Sequence, residues 1–375
     1  MTWPTKTLAE LVKLRSGGTP SKANPNFWGG DIPWISAKDM HGIRYHGAED
    51  SITREAVQAG APLARAGTIL FLVRGMRLAK EIAVGETTCD ASFNQDVKAI
   101  ECGPNIVPRF MLYWLLCQSG ELLASADEAA HGTKRIQTAQ FLESTILLPP
   151  LSSQERIADI LSAYDDLIEN NKRRMALLEE SVHLLYREWF VHLRFPGREH
   201  VRVVDGLPDG WRRIRLDEHA PFKYGKSLPS ELRRPGAVPV FGSSGIVGNH
   251  DEAGVLTPGL IVGRKGNVGS VFRAPTPFFA IDTVYYIDGP VADEFMFQTL
   301  RSMPFQNSDA AVPGLSRTAA HSIEFVLPES ATRRNFDDFA RPTVDLIHVI
   351  DRGNTALTAA RDALLPKLMS GALPV

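Results

Sequence analysis

Long apolar runs are missing from this sequence: nothing approaches the roughly 20 consecutive residues that a membrane-spanning helix needs. Its opening, "MTWPTKTLAEL", has no basic-then-apolar pattern of a secretory leader, so the expected setting is the cytoplasm. Cysteine is scarce. Cys89, Cys102 and Cys117 are odd in number and without CxxC spacing, which argues against a disulfide framework and reads as small core residues. Excess charge of either sign is also absent, the formal net charge being −2. The balance stays near neutral within 1–150 and within 201–330, so any anion-binding surface must be local. Histidines show no HExxH spacing or metal-ligand cluster, and "GRKGNVG" (263–269) is not a phosphate-binding GxxxxGK[ST] loop.

What is present is a chain of 375 residues, 44% hydrophobic and 22% charged, long enough for two domains with separate cores. Much of it is written twice. "WPTKTLAE" (3–10) answers "WRRIRLDE" (211–218), and "DIPWISAKDM" (31–40) answers "AVPVFGSSGI" (237–246). "AGTILFLVRG" (66–75) answers "TPGLIVGRKG" (257–266), and "FNQDVKAI" (93–100) answers "FAIDTVYYI" (279–287). Each copy mixes short strands such as "TILFLV", "DVKAI", "LIVG" and "VYYI" with short helices at 108–117 and 293–301. The Gly-rich stretches 15–30 and 242–248 read as loops.

Each copy then runs into a long helix. Pro149 and Pro150 stop a strand, Ser152 or Ser153 is placed to cap, and Glu155 falls in the first turn. Ile157, Leu161, Tyr164, Ile168, Asn171, Met175, Leu178, Val182, Leu185 and Trp189 then follow alternating four- and three-residue steps, the spacing of a coiled-coil seam. The phase returns in the second copy at Leu346, Ile350, Gly353, Leu357 and Leu364. Asn171 and Gly353 weaken the two midpoints, and antiparallel packing would bring them together. The expected fold is therefore α+β: two similar mixed α/β domains separated by a pair of long antiparallel coiled-coil helices, with a pseudo-two-fold internal repeat. A helix over 154–190 would span about 50–55 Å at about 1.5 Å per residue. Domains at its two ends would suit successive groove faces of a DNA duplex, about 34–36 Å apart. Two diverged copies can read different sequences, which a homodimer cannot.

At this level of detail the chain resembles the specificity subunit of type I restriction–modification systems. The resemblance runs along essentially the whole chain and rests on "LPPLSSQERIADILSAYDDLIENNKRRMALLEE" (148–180), "LLYREWFVHLRFPG" (184–197) and "ARDALLPKLMSGAL" (360–373), with "SGGTPSKANPNFWGGDIPWISAKDM" (16–40) near the start. In the second half "LPESATRRNF" stands where a proline pair and a glutamine-containing helix start are expected. The resemblance implies a target-recognition domain at 1–150, a central conserved helix at 151–195, a second target-recognition domain at 196–330 and a C-terminal conserved helix at 331–375. It also implies a non-catalytic subunit that binds double-stranded DNA, two methyltransferase (modification) subunits and two restriction (endonuclease and translocase) subunits. S-adenosylmethionine, ATP and Mg2+ would be used by those partners, with no cofactor or metal in this chain.

Residue types that contact phosphates and base edges single out several loops. Arg74, Arg77 and Lys80 lie in "VRGMRLAK", and Arg264, Lys265 and Asn267 in its counterpart "GRKGNVGS". Lys134, Arg135 and Gln137 precede the end of the first copy, with Arg317 in the matching place of the second. Ser36 and Lys38, and Ser243 and Ser244, sit in turn-rich stretches. Two other readings are kept as alternatives, the first of which the paired helices fit as well and the near-neutral charge slightly better. One is a coiled-coil scaffold with two protein-binding domains and no DNA role. The other is a methyltransferase or nuclease in its own right, suggested by "NPNFW" (24–28); the Asn-Pro-Pro-aromatic motif is incomplete there and no Gly-rich cofactor loop accompanies it.

Overall fold

In a computed structural model, which describes residues 3–128, 132–305 and 314–375, the chain divides into two units by its contacts. One comprises 1–170 together with 353–375, the other 171–352, so both divisions fall inside long helices. These helices are Leu151–Tyr186, prolonged by a π-helical turn over Arg187–Val191, and Ser330–Met369. The first starts at Leu151, ahead of the serines expected to cap it. Ser153 and Gln154 both donate their N–H to Pro150 O, and the Gln154 side chain donates to Pro149 O (2.9 Å) and accepts from Val107 N (2.8 Å). The Pro150 carbonyl thus takes first-turn N–H groups, one of which a serine cap was expected to take, while the buried glutamine ties the helix start to Pro149 and Val107. Among the described residues no helix is long and apolar enough to cross a membrane.

The first unit is built on a five-stranded sheet in the order Val12–Ser16, Val97–Cys102, Ile69–Leu72, Val84–Thr87, Arg44–Tyr45. All its neighbours are antiparallel except the last pair. Ile69–Leu72 is buried along its whole length, as its unbroken apolar run requires of a central strand. Helix Pro108–Cys117 buries Phe110 through Leu115 in the same core. That core also takes in Ile157 and Leu161 from the start of the central helix and Leu365 and Leu368 from the end of the C-terminal one. In the second unit Val284–Asp288 lies between Lys223–Tyr224 and Gly259–Gly263, which in turn pairs with Val271–Ala274. There Tyr186 and Trp189, late in the central helix, meet Phe336, early in the C-terminal one, at ring-centroid distances of 6.2 and 5.8 Å. In both units early residues of one helix meet late residues of the other, which is the antiparallel order.

The seam is shifted by a residue in the C-terminal helix. Leu346, assigned to it by spacing, is 40% exposed, whereas its neighbour Ile347 is 5% exposed. The buried stripe runs Phe336, Ala340, Ile347, Ile350, Asn354. Leu357 and Leu364 are half-buried, as is Gly353, so the buried polar residue of this helix is Asn354. The central helix keeps the expected phase, with Ile157, Leu161, Ile168 and Asn171 buried and Leu178 and Leu185 half-buried. A stripe that faces both a partner helix and a domain core is wider than a two-position seam, so spacing alone picks its edge ambiguously.

The internal repeat is exact enough to compare bond by bond. Gly17 N donates to Val97 O and Gly18 N to Phe93 O; Gly225 N donates to Val284 O and Lys226 N to Ala280 O. Asn94 N donates to Ile35 O as Ile281 N does to Phe241 O, and Ile136 N to Val73 O as Leu315 N does to Arg264 O. Strand Trp28–Ile35 runs parallel to Ser92–Phe93, and Val238–Gly242 parallel to Phe279–Ala280. The Gly-rich stretch 242–248, expected to be a loop, is largely a hairpin: Val238–Gly242 and Gly245–His250 pair across a turn of only Ser243 and Ser244. Gly245, at φ +96°, supplies the left-handed conformation this turn needs.

Candidate nucleic-acid interface

In the first unit, pairing gathers two candidate loops into one small sheet. Strand Lys134–Arg135 lies between Arg74–Gly75 and Asp127–Glu128, with Arg135 opposite Arg74 on one side and Asp127 on the other. Gly75, at φ +151°, lets the chain leave that strand directly into the 3-10 turn Met76–Ala79. Arg74, Lys80 and Arg135 are exposed, and none has a carboxylate in ion-pair range among the described residues. Gln137 donates to Asp127 Oδ2 (2.9 Å) and Lys134 is half-buried.

Other candidates in this unit are already engaged. Arg77 pairs with Glu81 (2.7 Å) and points back to Ala37 O and His41 Nδ1. Ser36 is buried, its hydroxyl donating to Asp39 Oδ2 (2.8 Å), so it closes a turn rather than facing solvent. Lys38 is clamped by Glu49 (2.9 Å) and Asp50 (3.0 Å), whose hydrogen bonds push its pKa up. Its charge is largely balanced within the protein. Met76 stands 72% exposed between Arg74 and Arg77, an apolar residue on a cationic loop that its spacing did not mark.

In the second unit the candidates meet more closely. Loop 264–270 folds over the Ser243–Ser244 turn, Ser270 Oγ donating to Ser243 O (2.6 Å) and Gly269 N to Gly263 O (2.9 Å). Lys265 bridges to Gly314, which brings the segment ahead of Arg317 beside it. Lys265, Asn267, Ser244 and Arg317 are exposed; Ser243 and Arg264 are half-buried. At the centre stands Tyr224, 46% exposed, with the guanidinium of Arg317 4.6 Å and that of Arg264 5.2 Å from its ring centroid. Arg264 also lies 5.6 Å from the Tyr285 ring, and its Nη1 donates to Asp282 O (3.2 Å). Burial raises the Tyr285 pKa, so that phenol stays neutral, while its hydroxyl donates to Leu315 O (2.9 Å). No carboxylate pairs with Arg264, Lys265 or Arg317 among the described residues.

Tyr224 was the residue missed by sequence reasoning. An aromatic between Lys223 and Lys226 is the interleaved pattern that would have drawn attention to it. Lys223 itself is held by Asp288 (2.5 Å). Both units therefore set cations without an ion pair among the described residues on glycine-containing loops at equivalent places in their frames, with different side chains in each.

Comparison with known proteins gives a consistent answer. Residues 1–180 match the family model described as the type I restriction modification DNA specificity domain. The chain is 24% identical to the type I restriction enzyme MjaIX specificity subunit of Methanocaldococcus jannaschii, the alignment covering 100% of this chain and 94% of that one. It is 34% identical to a type I restriction enzyme specificity subunit of Escherichia coli over 43% of this chain and 41% of the relative. Its fold is that of the crystal structure of the type I restriction–modification system S subunit from M. genitalium, with a TM-score of 0.58, 18% identity and coverage of 98% of this chain and 96% of that one. The first 180 residues thus match the DNA specificity domain of type I restriction–modification systems, and the chain along its full length is similar to a type I specificity subunit.

Proposed function

We propose that this chain is the non-catalytic DNA-reading subunit of a type I restriction–modification complex, and that its two units read the two parts of an asymmetric bipartite target. One observation carries the reading: equivalent frames present equivalent loops whose exposed cations have no ion-pair partner among the described residues, yet whose side chains differ. Arg74, Lys80 and Arg135 stand in one, Lys265 and Arg317, with the neutral Asn267 beside them, in the other. A shared frame fixes where loops meet the duplex, and different side chains on it read different bases.

The helices supply the second half of the proposal. Ile160 and Leu167 in the first unit, and Leu177, Leu184, Phe339, Leu346 and Val349 in the second, are large apolar residues 38–65% exposed on helical surface. Apolar stripes of this kind, on helices already packed on their other faces, are suited to a helical partner. Two methyltransferase subunits would dock on them and two restriction subunits would complete the nuclease. S-adenosylmethionine, ATP and Mg2+ would act in those partners. Near-neutral recognition units are consistent with partners that contribute many of the phosphate contacts.

The test is duplex binding by the chain with and without its methyltransferase partners, as a function of salt. Reversing Arg264 and Lys265 to Glu should weaken specific binding and flatten the salt dependence while assembly persists. Leu346→Glu should weaken assembly. Partner binding with no sequence preference on any duplex would instead favour a protein scaffold.

A further inference from the structure

We propose that Tyr224 is a positioning residue that holds Arg317 ready to read a guanine in the half-site served by the second unit; this rests on the DNA-reading role above. The stack leaves a specific set of groups free. A guanidinium lying flat on a ring keeps its in-plane N–H donors at the edge, where two of them match the O6 and N7 acceptors of guanine in the major groove. The Arg317 guanidinium lies over the Tyr224 ring, 4.6 Å from its centroid; the residue is exposed and has no carboxylate partner among the described residues. Arg264, over the same ring at 5.2 Å and tied to Asp282 O, braces the ring instead.

The frame beneath the stack is rigid. Phe222 N donates to His321 Nε2 (2.9 Å), joining the strand of Tyr224 to the short helix that begins at Arg317. The Phe222 and Tyr285 rings stack 5.3 Å apart at 18°. Ser316 caps that helix through Ala319 N, fixing the backbone next to Arg317. An arginine so restrained loses less freedom on binding than one free in solvent. The first unit lacks the device: Ser16 occupies the place of Tyr224, its hydroxyl accepts from Lys98 Nζ (2.7 Å), and Thr138 stands where Arg317 does.

The full chain, co-expressed with its methyltransferase partners, would be read out by mapping methylated motifs base by base across the host genome. Arg317→Lys should relax one guanine position in one half-site, with selectivity there falling about tenfold or more. Tyr224→Leu should relax the same position, and Tyr224→Phe, which keeps the ring, should restore it. The other half-site should not change in any variant. Motifs unaltered by Arg317→Lys, or relaxed by Tyr224→Leu at a different position, would overturn the assignment, as would a loss with Tyr224→Phe equal to that with Leu. If Tyr224→Leu prevents assembly, Arg317→Lys and Tyr224→Phe decide between the same outcomes. A wild-type complex that methylates no defined sequence would defeat the DNA-reading role itself, a distinct result.

Discussion

Asp165, on the central helix, accepts an ion pair from Arg361 of the C-terminal helix through one oxygen, and from the Tyr113 hydroxyl through the other at 2.7 Å. One buried carboxylate thus ties together both long helices and the helix Pro108–Cys117 of the first unit. Burial, and then the Asp165 charge, push the Tyr113 pKa up, so the phenol remains a donor. Removing this acid strands a guanidinium and a hydroxyl. Asp165→Ala should destabilise the first unit by about 3 kcal/mol, and apolar replacement of all three partners should recover much of the loss. Denaturant unfolding of the three chains would show it.

Gly17 and Gly225 make the same close approach in their two units. A Cβ at Gly17 would lie 1.9 Å from Asn94 O, and one at Gly225 1.9 Å from Ile281 O. No side chain can yield there, because the obstacle is backbone. Gly17→Ala and Gly225→Ala should each cost about 3–4 kcal/mol. Limited proteolysis should show each variant loosening its own unit alone.

Adjacent residues on the C-terminal helix should respond in opposite ways. Ile347→Ala empties a buried site and should cost about 2–3 kcal/mol, while Leu346→Ala should cost less than about 1 kcal/mol. Pull-down with the methyltransferase partner should reverse the order, the exposed Leu346 mattering more.

Acidity should favour the second unit. Burial, and then the Asp293 charge, raise Asp337 from 3.8 to about 7; burial raises Asp293 to about 6. Glu294 adds to the repulsion and Arg333, which reaches Asp293 Oδ2 and His219 Nε2, relieves it. Between pH 4 and 7 the folded state therefore binds more protons than the unfolded one, and stability falls as pH rises through that window. Asp337→Asn keeps the acceptor for Phe295 N and lacks the charge. It should stabilise the unit by roughly 1 kcal/mol above pH 7, allowing for partial exposure, and by nothing below pH 4. Thermal melts across this range would reveal the crossover.

Cations of equal formal charge should contribute unequally to DNA binding. Lys38, held by Glu49 and Asp50, should be replaceable by Ala without moving the salt slope. Arg135→Ala, which removes an exposed charge with no ion pair among the described residues, should lower that slope by about one. Filter binding of the assembled complex at several salt concentrations measures both.

The primary sequence by itself determined the duplication, the strand runs, the two long helices and their antiparallel pairing. These follow from local periodicity and from the order of matched segments, which burial obeys: Ile69–Leu72 is a fully buried strand, and Ile157, Leu161 and Ile168 lie inside. Loop composition also named Arg74, Arg135, Lys265 and Arg317. Only the tertiary structure decided which charges are available. Lys38 reads the same as Arg135 and Lys265 along the chain, yet Glu49 and Asp50, brought near by folding, claim it. It likewise decided that Ile347 rather than Leu346 faces inward, and that Tyr224 meets two arginines. Local pattern records which face a residue prefers; which groups compensate one another depends on long-range contacts that no single stretch of sequence contains.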